Sequence, residues 1–202
     1  MTRNWIFLLA IVSLIAFGCK KNETTTSDTA TTDTYASTTS TSATDTSSTT
    51  STTGTSASVS DADKAFMANA AQGGMAEVNL GQMAATKAAS NDVKDFGNRM
   101  VNDHSKANEE LKQLSAGKGV TLPTDVDAAS KKTADELSKK TGKAFDKAYM
   151  SAMVKDHEKD VAEFQKESTA AQDPDLKNWV TKTLPTLQDH LKMAKQINAK
   201  LK

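Results

Sequence analysis

From Ser60 to the C-terminus the apolar residues of this chain recur at intervals of three and four, not two. That period admits helices packed on helices and excludes a sheet. A first long helix is predicted over residues 61–89, with Ser60 as its N-cap, acidic residues in its first turn, and a stripe of Phe66, Ala70, Gly73, Glu77, Leu80 and Ala84. A second, over 92–116, carries Val93, Phe96, Met100, His104, Ala107, Leu111 and Leu114. Gly117-Lys118-Gly119 turns the chain, and a short amphipathic segment over 126–140 forms a helix of its own. The third long helix, over 143–171, carries Met150, Met153, His157, Val161 and Phe164. Asp173 caps the fourth and Pro174 opens it, where a missing N–H costs nothing. Its stripe is Leu176, Val180, Thr183, Leu187, His190, Ala194, Ile197 and Leu201. The fold class is therefore all-α: an antiparallel four-helix bundle with a short extra helix in the crossover between the second and third long helices.

The residues before Ser60 have a different character. Arg3 precedes an apolar run from Trp5 to Phe17, shorter than the ~20 residues that span a bilayer, and so reads as the core of a secretory signal over residues 1–18. Ala16-Phe17-Gly18-Cys19 resembles a bacterial lipobox, in which the cysteine sulfur takes a lipid and the residue becomes the new N-terminus. This accounts for the single cysteine, which has no internal partner for a disulfide. Lys20 after it resembles the outer-membrane sorting pattern of Gram-negative lipoproteins. Acyl chains at ~0.8 kcal/mol per buried CH₂ would anchor the protein to a membrane without spanning it. Of the 37 residues from Thr24 to Ser60, 27 are Ser or Thr. Such a stretch buries too little apolar surface to offset the entropy of ordering. Residues 19–60 are thus a tether with an r.m.s. span of ~35 Å, and residues 61–202 are the folded domain. Asp28-Thr29-Ala30 within the tether resembles a short O-glycosylation sequon. With 25 Lys and Arg against 25 Asp and Glu, the chain has no net field for a polyanion, and nucleic acid is not an expected partner.

All three histidines fall on apolar stripes, as does Glu77. Two residues of an antiparallel hairpin stand level when they are equally far from its turn. The midpoint of Glu77 and His104 lies between Ser90 and Asn91, at the first predicted turn; that of His157 and His190 lies between Asp173 and Pro174, at the last. If the hairpins stack in register, one Glu and three His converge in one layer. Burying four polar groups costs several kcal/mol unless they are paired, so either a hydrogen-bonded network or a cation must compensate. The donor set suits zinc, iron, copper or manganese. Asp103, Asp156 and Asp189 each precede a histidine and point about 100° away from it. They are either partners that fix imidazole tautomers from a neighbouring interface, or solvated surface charge. Asp160 and Glu163 could also reach the layer. Gly73 and Gly74 either admit a close neighbour or break the first helix; Pro185 bends the fourth. The methionines are packing residues, with copper left open by their thioethers.

Met100-Val101-Asn102-Asp103-His104, Gly119 through Leu122-Pro123, Phe145-Asp146-Lys147-Ala148-Tyr149-Met150 with Met153-Val154 and His157, and Thr183-Leu184-Pro185-Thr186-Leu187 with His190-Leu191 together resemble the domain of unknown function 4142 family of ferritin-like bacterial outer-membrane proteins. The resemblance covers residue 65 to the C-terminus and implies a ferritin-like fold and a cell-envelope location, with no established activity. Ferritin-like di-iron enzymes use Glu-x-x-His, but here Val101, Val154 and Leu187 stand three before the histidines, so ferroxidase chemistry does not carry over. Phosphate loops, dinucleotide fingerprints and nucleophile elbows are also missing from the sequence. The expectation is a non-enzymatic envelope lipoprotein, facing the periplasm or the cell surface, that binds a transition metal or protects against stress. The alternatives are a metal-dependent redox or hydrolytic enzyme using the same layer, and a purely structural bundle.

Overall fold

The computed structural model describes residues 58–201. Cys19, the signal segment, the O-glycosylation tripeptide and nearly all of the tether lie outside the described residues. Five helices and no strand make up the described part: α1 (Asp61–Lys87), α2 (Asn91–Gly117), α3 (Ala128–Ser138), α4 (Gly142–Ala170) and α5 (Pro174–Lys200). None is long and apolar enough to cross a membrane.

Their ends follow from local chemistry. Ser60 Oγ accepts from the Asp63 amide at 3.1 Å, and Asp173 Oδ1 accepts from the Asp175 and Leu176 amides at 3.0 Å each, ahead of Pro174. Gly119, at φ 66°, lets the chain reverse after α2 while the Val120 amide returns to the Ser115 carbonyl at 2.8 Å. The helix α1 runs unbroken through Gly73 and Gly74, and α5 through Pro185.

Helices α1 and α2 form one hairpin, α4 and α5 a second; α1 packs on α4, α2 on α5, and α3 lies across α1 and α4. The first hairpin is drawn together at Gly81 and Gly97. A Cβ on Gly81 would stand 2.6 Å from the Gly97 carbonyl oxygen, and one on Gly97 would stand 2.7 Å from Ala84 Cβ.

The hairpins hold each other by a reciprocal pair of buried aspartates. Asp63, in the first turn of α1, accepts from the amides of Gln172 and Asp173 in the α4–α5 turn, at 3.2 and 2.8 Å. Asp146, in the first turns of α4, accepts from the amides of Ala89 and Ser90 in the α1–α2 turn, at 3.0 and 2.9 Å. The two turns are thus at opposite ends of the molecule. Each aspartate opens nearly the same pentapeptide, Asp63-Lys64-Ala65-Phe66-Met67 and Asp146-Lys147-Ala148-Tyr149-Met150, 83 residues apart, and the amides they cap are also 83 residues apart. Residues 61–117 and 144–200 are thus two copies of one hairpin, arranged head to tail.

Two apolar clusters fill the interior. One holds Leu80, Ala84, Val93, Phe96, Met100, Tyr149, Met150, Met153 and Ala194; the other holds Met67, Ala71, Leu111, Val161, Phe164, Trp179, Val180 and Leu187. On every long helix one buried polar residue separates them: Glu77, His104, His157 and His190. The predicted stripe of α1 needs one correction. Met67, Ala71 and Gly74 are buried in its first half, whereas Phe66 and Ala70 are half-buried, packed against the same cluster at the wall of a cavity that Gly73 and Gly74 also border.

Candidate metal centre

Each helix brings one side chain to the layer between the clusters. Glu77 is 1% exposed, His104 6%, and His157 and His190 are fully buried. Glu77 Oε2 stands 2.8 Å from His104 Nε2, and Glu77 Oε1 stands 3.1 Å from His157 Nδ1. The histidine ring centroids lie 5.3 to 5.8 Å apart. Each ring offers a nitrogen, and these three nitrogens lie within 4.8 Å of one another.

The outer partners set the tautomers. His157 Nδ1 is 3.0 Å from the Met153 carbonyl, which can only accept, so that nitrogen carries the hydrogen. His190 Nε2 donates to Asp103 Oδ2 at 2.8 Å, and the same oxygen receives Arg99 Nε at 3.1 Å. In neutral rings the remaining nitrogens, His157 Nε2 and His190 Nδ1, are bare lone pairs, and both are buried without a partner. The His104–Glu77 contact is close but not aligned as a hydrogen bond, and neither Glu77 oxygen has an aligned donor. Tyr149 Oη and Trp179 Nε1 are likewise buried without partners. Each orphaned acceptor costs about 1–3 kcal/mol, and several in one layer are the mark of a site that something else completes.

Burial also decides the charges. It pushes His104 down to about 4 and His190 down to about 3, and holds His157 below its usual value, so all three rings are neutral at pH 7. Burial pushes Glu77 up to about 7, against the pull of His157. Asp160 rises to about 8, first through burial and then through the neighbouring Glu77 and Asp156; burial raises Asp156 too. Asp103 goes the other way. Burial would raise it, but hydrogen bonds from His190 and Arg99 prevail and leave its carboxyl below the ordinary range. Three neutral imidazoles with convergent nitrogens and a carboxylate beside them are a chelating set for a borderline or soft cation.

The aspartates before the histidines divide three ways. Asp103 orients not its neighbour His104 but His190, across the α2–α5 interface. Asp156 joins Glu77 and Asp160, one oxygen from each lying within 4.8 Å of the others. Asp189 is exposed and bonds to no histidine. Beside the layer lies a cavity of about 160 Å³ bordered by Gly73, Glu77, His104, Asp156, Asp160 and Trp179. Glu163 also borders it. The structural aspartates Asp63 and Asp146 were not anticipated, although the repeated pentapeptide marked them.

A family model described as a domain of unknown function (DUF4142) matches residues 48–197. The comparison with curated proteins gives no match. Among solved structures, the chain is similar to CopM in the Cu(II)-bound form, with TM-score 0.60 and 16% identity over 69% of this chain and 97% of that one. It is similar to CopM in the Ag-bound form, with TM-score 0.56 and 18% identity over 66% and 93%. A DUF305 fragment from Deinococcus radiodurans gives TM-score 0.63 and 10% identity over 70% and 98%. At these identities the likeness is one of fold.

Proposed function

Because the chain belongs to the family described as a domain of unknown function (DUF4142), a description that names no activity, we propose its function from the site: a cell-envelope lipoprotein whose ferritin-like four-helix bundle binds a transition metal through Glu77, His104, His157 and His190. The observation that carries the reading is the pair of bare, buried nitrogens, His157 Nε2 and His190 Nδ1, in a cluster with His104 that contains no aligned donor for them. A cation removes that deficit, and a set rich in nitrogen ranks copper and zinc above manganese. The Cu(II)- and Ag-bound structures of the similarly folded CopM keep copper in the panel to be tested. Met153 and Asp103 would hold the rings of His157 and His190 in the metal-binding tautomer.

The role is non-enzymatic, holding or buffering metal at the envelope. Support for the location comes from the lipobox-like Ala16-Phe17-Gly18-Cys19 and the Ser/Thr-rich tether, the sequence features of a protein anchored by a lipid on Cys19 with its domain outside the membrane. One observation favours a second reading, a redox or hydrolytic metalloenzyme: the cavity reaches Glu77 and His104 and would give a small molecule access to the metal. The third reading is a bundle whose layer only specifies packing. Elemental analysis of the purified full chain is the deciding experiment. About one equivalent of copper or zinc, lost in the His104→Ala/His157→Ala/His190→Ala variant, is expected. A folded protein that takes up no copper, zinc, iron or manganese, or whose metal content is unchanged by the triple substitution, overturns the proposal.

A further inference from the structure

The acidic residues beside the histidine layer do not share its chemistry. Glu77, Asp156 and Asp160 offer oxygen only, and one oxygen from each lies within 4.8 Å of the others. All three border the cavity, so the cluster opens to water-sized space on one side. Two further observations point to a ligand there. Glu77 is 1% exposed and neither of its oxygens has an aligned donor, so a carboxylate that faces both the imidazoles and the cavity is unsatisfied on both. The one lysine bordering the cavity, Lys159, is 67% exposed on its side chain and pairs with Glu163 at 3.8 Å, so it acts on Asp156 and Asp160 only through its field and forms no ion pair with either.

The internal repeat explains why the space is there. Glu77 and Asp160 are 83 residues apart and so occupy equivalent positions in the two hairpins. The positions equivalent to His157 and His190 are Gly74 and Ala107, which also border the cavity. Where the second hairpin carries these two imidazoles, the first carries almost no side chain; His104 of the first corresponds to Leu187 of the second, which also borders the cavity. The cavity is the space left at the counterparts of His157 and His190, with a carboxylate from each hairpin, Glu77 and Asp160, at its border.

We propose that Glu77, Asp156 and Asp160 form a second cation site, for a divalent ion that prefers oxygen ligands, with Glu77 shared between this site and the histidine cluster. The cavity supplies the water molecules that such ions retain when two or three carboxylates hold them. The inference rests on the proposed function and deepens it by assigning a second ion of a different class; two of its three ligands, Asp156 and Asp160, lie outside the first set, so the two can fail separately.

The test uses Mn(II), whose free aqueous form has a strong electron paramagnetic resonance signal that is lost on binding. The full chain is first given one equivalent of zinc and then titrated with Mn(II). Loss of about one equivalent of free Mn(II) signal in the wild type is expected, with binding at least about tenfold weaker in Asp156→Asn/Asp160→Asn, because charge count sets affinity at such sites. Zinc content stays at its wild-type value in that variant. The single variant Asp160→Asn, which only removes a charge from a crowded cluster, serves as a second reading and is monitored for helix content by circular dichroism. No Mn(II) uptake by the zinc-loaded wild type, or uptake unchanged in both variants, overturns the second site. Loss of zinc and Mn(II) together in both variants also overturns it, because the acids would then belong to a single mixed centre. Absence of both zinc and copper uptake, with Mn(II) uptake that is kept in the triple histidine variant and weakened in Asp156→Asn/Asp160→Asn, sinks the histidine site and leaves this one standing.

Discussion

At the scale of single residues, hydrogen-bond direction decides more than distance. Met153 and Asp103 can only accept, and their acceptance strips two buried nitrogens of their hydrogens. Asp103→Ala frees the His190 ring to rotate and exchange tautomers. It is expected to weaken zinc or copper binding about 10- to 100-fold with unchanged helix content, as measured by competition with a chromophoric chelator. Glu77→Gln separates charge from shape. The folded pKa of Glu77, about 7, lies above its unfolded value of 4.5, so the stability it contributes is fully present below pH 4.5 and is lost as pH rises through 7. Gln does not titrate. In the metal-free protein the variant is therefore expected to be about 1–3 kcal/mol more stable than wild type at pH 8 and to lose that advantage near pH 4.5, by urea unfolding. The same variant should hold metal less well at every pH.

At the scale of helices, the layer was legible in the sequence because an antiparallel hairpin makes equal distance from the turn into equal height. That arithmetic needs no side-chain detail, and Glu77 with His104, and His157 with His190, meet as it predicts. The facing of α1 was less legible. Phe66 and Met67 are both apolar, and only the cavity on one side decides that Met67 goes inward and Phe66 to the wall. The role of Asp189 was open for a related reason: neighbouring positions are 100° apart, and which of them meets an interface depends on the partner helix. The glycines make a paired prediction. Gly97→Ala drives a methyl into Ala84 and the Gly81 carbonyl and is expected to cost about 1–3 kcal/mol. Gly73→Ala meets nothing within 4 Å and is expected to gain up to about 1 kcal/mol from helix propensity alone. Thermal unfolding of the two variants side by side checks both signs.

At the scale of the molecule, opposed titrations give the metal-free protein an unusual pH profile. The neutral forms of Glu77 and Asp160 stabilise it, and this contribution is lost as pH rises through about 7 and 8. The histidines run oppositely. Their folded pKa values lie below the unfolded 6.5, so the stability they contribute is present above 6.5 and is lost as pH falls through about 4 for His104 and about 3 for His190. Between pH 4.5 and 6.5 the two sets pull against each other. The melting temperature of the metal-free protein is expected to peak on the acid side of neutrality, near about pH 6. With zinc bound the peak should move to higher pH, because metal and proton compete for the same atoms. Circular dichroism melts from pH 3 to 9, with chelator and with one equivalent of zinc, measure this directly.

A helical domain usually resists opening most at mid-height, where burial is deepest, and frays from its ends. Here the ends are latched by Asp63 and Asp146, and the unsatisfied groups sit at the waist. Amide exchange should therefore show, without metal, two protected halves separated by a leaky girdle around residues 77, 104, 157 and 190, and with metal a single unit that opens all at once. The ion would act as the keystone of the arch, and its loss would be felt first as independence of the two halves.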